Sequence, residues 1–586
     1  MLGRMLFFRT PHRACIGWLS AALVFLPVGA GAARSKPSVV AAQTATPATT
    51  ALFSDTFRKV IEQGVANGAY RTVAVGVIDG KQTQKLYLGH RDGAATPAAD
   101  DDSQFEIGAL SEVFTGLLLA EAALEGKLRL RDPLRTFLPA DFPFVDARVG
   151  DISIDALVTQ HSGLPPQPTS LFPADVDDPY IDYAGEDLLS FLAFYRSLPA
   201  PEDIGYSYSV LNAGILGHLL GRIYTAPYVE VLTSKVLIPL GLKHTSLRDD
   251  AALLRGHARG ESAAHWHYGV LAGAASLRSS LPDLLEFLQH NLTPGDSTLR
   301  AALLLARQGR GSGPADRIGL GWNVREATAG ETTWPLVWRA SETAGFSTFV
   351  GFRTDRQRAI VLLGNAAEDL AGFGIAWLDD ALPPPTPHGY VATASNDVAA
   401  YSGLYEISPG SDLIVRAHDG ALSLQLPGQL PTRLRAVDKD VFAAKVGAFG
   451  ATFMRNVDEI TGLVLHLNGN HASARRLSER APQVVHTSIE PHGGKRYEFL
   501  GDYSLDANTW MRIAQHADAL SVQLTMSERR VIFAYAPDRF ADADGAVDLL
   551  FRRDGKGRII GATLDLAGAQ LDAIPLRSMP PGRPAP

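Results

Sequence analysis

The sequence predicts an α+β domain followed by two small antiparallel β-barrels. Three observations carry this expectation. Between Ala51 and Leu382, helical apolar periods alternate with short β-branched runs, "TVAVGVI" (Thr72–Ile78) and "AIVLLGN" (Ala359–Asn365) among them. "LPPPTPHG" (Leu382–Gly389) then interrupts the chain, because consecutive prolines fit neither helix nor sheet. Beyond it the texture is all-β, and it repeats at one offset of 98 residues. Gly403 and Tyr405 recur as Gly501 and Tyr503, and "LSLQL" (Leu422–Leu426) recurs as "LSVQL" (Leu520–Leu524). Phe442, Phe453 and Arg455 recur as Phe540, Phe551 and Arg553. A single offset over so many features marks two copies of one module. Alternating apolar and polar runs, divided by turns such as "HDG" (His418–Gly420) and "DGKG" (Asp554–Gly557), suit short strands closing into a barrel.

Taken in order, the chain begins with a segment that reads as a secretion signal, residues 1–33. Arg4, Arg9 and Arg13 supply a positive start, Cys15–Val28 an apolar run, and "GAGAA" (Gly29–Ala33) a small-residue cleavage site. The plainer reading is a retained membrane anchor, but the run is short for a span and holds Pro27. Residues 34–50 have the Ala/Thr/Pro bias of a flexible leader. The α+β domain occupies 51–382, a Pro-rich linker 383–396, the first barrel 397–480, and a second linker with "PHGGK" 481–496. The second barrel runs over 497–577, and "PPGRPAP" falls in a tail at 578–586.

Composition excludes several functions. A formal net charge of −8 over 586 residues, without a basic stripe, argues against nucleic-acid binding. Cys15, the one cysteine, lies inside the expected signal, so the exported chain would lack a disulfide, a thiol nucleophile and a Cys-ligated metal.

The stretch "FEIGALSEVFTG" (Phe105–Gly116) reads as a strand end running into a helix. Leu110, Val113, Phe114, Leu117, Leu118 and Leu124 form an apolar stripe, with Ala109, Glu112 and Gly116 together at its edge. By itself this is a buried helix. It is followed in order by "EGKLRLRDPL" (Glu125–Leu134), "TQHSGLP" (Thr159–Pro165), "YSVLNAGILG" (Tyr208–Gly217), "PLGLKHTSL" (Pro239–Leu247), "GLGW" (Gly319–Trp322) and "RASETAGFS" (Arg339–Ser347). Over residues 51–382 this series resembles the serine β-lactamase/penicillin-binding-protein-like family, particularly its class C branch, which also contains esterases and D-aminopeptidases. A catalytic domain followed by two barrels, of a lipocalin-like kind, is similar to the D-aminopeptidase arrangement.

The resemblance implies three motifs. The first is Ser-x-x-Lys, a hydroxyl nucleophile one helical turn before a lysine whose lowered pKa lets it take the proton. Here Ala109 stands at the serine and Glu112 at the lysine, and the chain holds no Ser-x-x-Lys elsewhere. The second, Tyr-x-Asn, reads Tyr208-Ser209-Val210, with valine at the asparagine position. The third, Lys/His-Thr-Gly on a strand edge, reads Arg339-Ala340-Ser341: the cation stays, while the hydroxyl and the glycine are replaced. A side chain at Ser341 would crowd a surface that needs close backbone approach. Glu112 would oppose an anionic transition state. The expectation is that Glu112 pairs with Arg339 and that Tyr208 donates to its carboxylate.

Other candidates carry less. His161 and Ser162 adjoin in sequence, and neighbours rarely face each other usefully. His265 and His267 have the spacing of a strand metal site, but a third ligand is not evident and a satisfied or exposed pair is the plainer reading. Asp100–Asp102 reads as a solvated loop rather than a calcium site.

The reading is therefore an exported, periplasmic or secreted relative of the serine hydrolases, without cofactor or metal, that has lost its nucleophile and base. It would bind through Tyr208 and Arg339 or through the barrels. Peptidoglycan fragments, D-amino-acid peptides or an envelope protein are the partners the resemblance implies, with neither nucleic acid nor a stable membrane span. The alternative is an active esterase, D-aminopeptidase or β-lactamase-like hydrolase with a non-standard mechanism.

Overall fold

The computed structural model describes residues 52–576 apart from 91–98, 259–260, 314–315, 330–331, 380–397, 410, 419–420, 445–448, 468–469, 483–486, 490–495 and 518. The expected signal, leader, Pro-rich linker and tail lie outside the described residues, as does most of the second linker. The described residues contain no helix long and apolar enough to cross a membrane.

The first domain is built on an eight-stranded sheet. Its strands are β1 (Thr72–Asp79), β2 (Gln82–Gly89), β3 (Gly311–Gly313), β4 (Asp316–Ile318), β5 (Asn323–Ala329), β6 (Thr332–Glu342), β7 (Ser347–Arg353) and β8 (Arg358–Gly364). They lie in the order β2-β1-β8-β7-β6-β5-β4-β3, and every adjacent pair is antiparallel. The two ends of the domain thus meet inside the sheet, one strand in from its β2 edge, with Val75 opposite Leu362. An antiparallel sheet with one wet face would alternate apolar and polar residues. β1 instead is buried from Thr72 to Ile78, because helices cover both of its faces.

On one face, α1 (Asp55–Ala66) and α5 (Ala371–Leu378) lay Phe57, Ile61, Phe373 and Trp377 over Val73, Val75 and Val77. The Ser54 hydroxyl caps α1 by accepting from the Phe57 N–H at 3.1 Å. On the other, α4 (Leu281–Leu292) crosses β1 so closely that a Cβ on Gly76 would meet Leu281 and Leu285 at 2.8 Å. α2 (Ser111–Leu124) is buried from Ser111 to Ala120. Gly116 lets it approach "GLGW": a Cβ there would sit 2.2 Å from the Leu320 carbonyl oxygen. Leu124 departs from the expected stripe. It is the last residue of α2, past the end of the core, and is 51% exposed.

After the linker, two closed eight-stranded antiparallel barrels follow, the first from Gly403–Ser408 to Asn470–Ser478 and the second from Gly501–Ser504 to Ala569–Pro575. The sequence repeat is a repeat of contacts. The Tyr405 hydroxyl donates to the Tyr401 carbonyl at 2.8 Å, and the Tyr503 hydroxyl to the Phe499 carbonyl at 3.0 Å. Arg455 lies over the Tyr401 ring at 5.3 Å, and Arg553 over Phe499 at 5.5 Å. Phe453 and Phe551 pack edge-on against Tyr405 and Tyr503 at 5.8 and 5.9 Å.

Candidate functional site

Three elements converge in the α+β domain. A 3-10 turn, Gly108–Leu110, leads directly into α2 and carries Ala109, so Ala109 sits before the helix rather than within it. α3 (Val210–Tyr224) begins just after Tyr208. β6 ends in Arg339, Ala340, Ser341 and Glu342. Gly108 has φ +48°, the left-handed region, and a Cβ on it would meet the Ser341 hydroxyl at 2.2 Å. Glycine there is what allows the turn to close on β6.

Glu112, one turn beyond Ala109, lies in the first turn of α2, where a negative charge suits the helix dipole. It is 4% exposed, too buried to stand unpaired, and three donors meet its carboxylate. Arg339 Nη2 donates to Oε2 at 2.7 Å, the Tyr208 hydroxyl to Oε1 at 2.8 Å, and Gln160 Nε2 to Oε2 at 3.3 Å. The Arg339 guanidinium also lies 5.7 Å from the Tyr208 ring centre. Burial pushes the Glu112 carboxyl above its ordinary value, against the pull of Arg339, Tyr208 and Gln160. Burial would lower Arg339, and the facing carboxylate outweighs that and raises it. Since a guanidinium keeps its proton in a protein and three donors share one carboxylate, the pair is ionic. Burial, then Glu112, holds the Tyr208 phenol well above its ordinary value.

The second feature concerns Ser341. Its hydroxyl oxygen accepts from the Ala109 N–H at 2.6 Å. The backbone donor at the start of α2, which an anion could otherwise use, is therefore already engaged. Ala340 turns onto the apolar core under the sheet.

Val210 is the first residue of α3, with its N–H donating to the Pro166 carbonyl at 2.9 Å. The nearest asparagine, Asn212, is turned inward: Nδ2 donates to Gln160 Oε1 at 2.5 Å, and Oδ1 accepts from the Ser162 hydroxyl at 2.6 Å. Gln160 is the residue that sequence reasoning missed. It is 1% exposed, has φ +63°, and accepts from the Ser209 N–H at 2.9 Å while donating to Glu112. A non-glycine residue held in the left-handed region is a local strain that surrounding bonds sustain. Nothing in "TQHSGLP" signals it.

His161 and Ser162 point apart. His161 Nδ1 bonds the Thr159 carbonyl at 2.6 Å, and its Nε2 lies 3.2 Å from the hydroxyl of Ser312 on β3. His265 and His267 take different carboxylates: His265 bonds Glu106 at 2.9 Å, while His267 bridges Asp178 at 2.6 Å and Asp249 at 2.9 Å. Asp101 is bound by Lys85 and Tyr87. Among the described residues, groups of three or more His, Cys, Asp or Glu that could hold a metal ion do not occur.

An α+β domain in which a buried helix start, a tyrosine and a cationic strand edge converge is the arrangement that the resemblance to the serine β-lactamase/penicillin-binding-protein-like family implies. Residues 57–382 match the Beta-lactamase family, and the chain belongs to it. It is 26% identical over 328 residues to a protein named Beta-lactamase from Pseudomonas fluorescens, covering 50% of this chain and 88% of that one. A Beta-lactamase of Escherichia coli (strain K12) is 26% identical over 348 residues, 53% of this chain and 87% of the relative. Among solved structures, a class C beta lactamase from Rhodobacter sphaeroides aligns with TM-score 0.48 and 20% identity, covering 56% of this chain and 97% of that one.

Proposed function

We propose that this chain is a non-catalytic, exported member of the family, retained for binding in the cell envelope. One observation carries the reading: the polar groups at the motif positions are engaged with one another. Glu112 holds Arg339 and Tyr208, and Ser341 holds the Ala109 N–H, next to a methyl group where relatives would present a hydroxyl. Hydrolysis through this site would need a nucleophile and an activating base, and a buried carboxylate would oppose an oxyanion. Residual catalysis from oxyanion donors alone reaches about 10³–10⁴ over water in enzymes stripped of their nucleophile, and here one such donor is capped. Export is supported by the positive start and apolar run of residues 1–33. The ligand class we propose is a peptidoglycan fragment or D-amino-acid peptide. A ligand carboxylate reaching Arg339 would have to displace Glu112.

Labelling with a fluorescent penicillin, alongside turnover of a chromogenic cephalosporin and a p-nitrophenyl ester, tests the reading. The natural chain is expected to give neither adduct nor turnover, and Ala109→Ser with Glu112→Lys partial labelling at most, because Val210 and Ser341 remain. An acyl adduct on a cleft side chain of the natural protein would overturn it.

One observation favours a second reading, an active hydrolase. The Thr159 carbonyl orients His161, whose other nitrogen faces the Ser312 hydroxyl, the order of groups an activated serine needs. Ser312 is exposed on an edge strand, where water competes for the developing charge. Turnover abolished by Ser312→Ala would establish this route and defeat the non-catalytic reading.

A further inference from the structure

The first barrel carries a pair of imidazoles whose geometry goes beyond any role in the cleft. His466 and His471 are direct partners across the hairpin of strands Glu459–Leu467 and Asn470–Ser478. Direct partners project from the same face of a sheet. Leu463 and Leu465 fill the barrel interior, so alternation places His466 on the outer face. His466 Nδ1 lies 2.8 Å from His471 Nδ1, and its Nε2 lies 2.8 Å from the Thr452 hydroxyl oxygen. His471 is exposed and His466 half-buried. On its other side His466 is opposite Gly450, so the neighbouring strand sets no side chain beside it.

From this arrangement we propose that His466 and His471 form a surface site for a divalent transition-metal ion, Cu²⁺ above all. Two Nδ1 atoms at 2.8 Å have the separation of cis ligands. With metal–nitrogen distances of about 2.0 Å, a right-angled bite requires roughly 2.8 Å between donors, whereas a tetrahedral bite requires about 3.3 Å. Square-planar or tetragonal nitrogen sites are those of Cu²⁺ and Ni²⁺, and Cu²⁺ binds the more tightly of the two. The hydroxyl of Thr452 is placed as an outer partner: accepting from His466 Nε2–H, it leaves the Nδ1 lone pair facing His471.

Without metal, the Nδ1–H of His471 donates to that lone pair. On binding, this proton moves through solvent to His471 Nε2, so both rings present Nδ1 lone pairs and remain neutral. Water would complete the coordination.

The second barrel supplies a control within the same chain. By strand register, Asp565 and Gln570 stand opposite each other where His466 and His471 stand in the first, so the repeat does not require the imidazoles.

Calorimetric titration of the full chain with Cu²⁺ in a non-coordinating buffer, with electron paramagnetic resonance of the one-to-one complex, tests the site. The natural protein is expected to bind one more Cu²⁺ per chain than His466→Gln or His471→Gln, with a tetragonal spectrum split by two nitrogens. Both variants should melt at the natural temperature without metal, because each side chain lies on the outer face. Thr452→Val should weaken binding several-fold while keeping the two-nitrogen spectrum. Equal stoichiometry and affinity in the natural chain and both histidine variants would overturn the proposal, as would a spectrum without two-nitrogen coupling. Failure here leaves the reading of the cleft untouched, since none of these residues takes part in it.

Discussion

The two barrels and the cleft are held together in different ways. In the barrels the residues change and the bonds stay: Tyr405 donates to the carbonyl of a tyrosine, Tyr503 to that of a phenylalanine, and an arginine lies over each ring. In the cleft the bonds run between the positions that the family resemblance aligns with its motifs. Ala109, Glu112, Tyr208, Arg339 and Ser341 occupy the motif positions, yet they bond one another. A contact that closes a barrel is constrained by geometry, and any residue with the right backbone group satisfies it. In the cleft the bonds are made by particular polar side chains: the Glu112 carboxylate holds Arg339 and Tyr208, and the Ser341 hydroxyl holds the Ala109 N–H. Contacts to main-chain groups thus tolerate changes of side chain that contacts between polar side chains do not.

The largest expected effect breaks the cleft side of this contrast. Glu112→Ala leaves Arg339 buried without its counter-ion, which costs about 3–5 kcal/mol when one member of a buried pair is removed. Replacing both, as Glu112→Leu with Arg339→Met, should recover most of that, because a well-packed apolar pair is often neutral relative to a buried ionic one. Urea denaturation of the two variants checks it. A single substitution costing under about 1 kcal/mol would show that the ion pair is not what fills the site.

The next prediction concerns the barrels. Tyr405→Phe and Tyr503→Phe each remove one buried hydroxyl and its bond, for about 1 kcal/mol apiece. The two should match within a few tenths, since the acceptor in both is a main-chain carbonyl four residues back. Melting curves that separate them by more than about 1 kcal/mol would mean that the repeat preserves sequence without preserving energetics. A smaller effect belongs to Ser341→Gly. It returns the third motif to glycine and frees the Ala109 N–H, so stability should fall by about 1 kcal/mol or less, while the non-catalytic reading expects no turnover. Appearance of cephalosporin hydrolysis in that variant would contradict it.

Much of this architecture was legible in the sequence because its signals are periodic. The 98-residue offset marked both barrels, and the β-branched runs found two adjacent interior strands, β1 and β8. The Glu112–Arg339 pair was legible too, because opposite charges at two motif positions 227 residues apart in the chain have few other partners once buried. What was not legible depends on backbone conformation. Gln160, which donates to Glu112, has φ +63°, and a local sequence that tolerates this looks like any other turn. The engagement of the Ala109 N–H by Ser341 was likewise hidden, since crowding and capping are the same substitution seen from two sides. Leu124 satisfied the helical period and still fell outside the core, because periodicity carries no information on where a helix outlives its packing.

The smallest expected effect belongs to a second acid–base cluster of the α+β domain, in which facing groups respond to pH with opposite sign. Its centre is His267, between Asp178 and Asp249. Burial would lower His267, but hydrogen bonds and charges from Asp178 and Asp249 outweigh it and raise the imidazole. Asp249 is lowered: burial acts against this, but Arg278 and then His267 hold it down. The histidine's contribution is therefore complete below about pH 6.5, its unfolded value, and is lost as pH rises through the higher folded one. Asp249 contributes above about pH 3.9 and loses that contribution as pH falls. His267→Gln should accordingly destabilise the chain most between about pH 4 and 6.5 and progressively less at higher pH, as thermal melts across that range would read. A deficit that is constant from pH 5 to 9 would show that the ring acts there by packing and neutral hydrogen bonding, not by its charge.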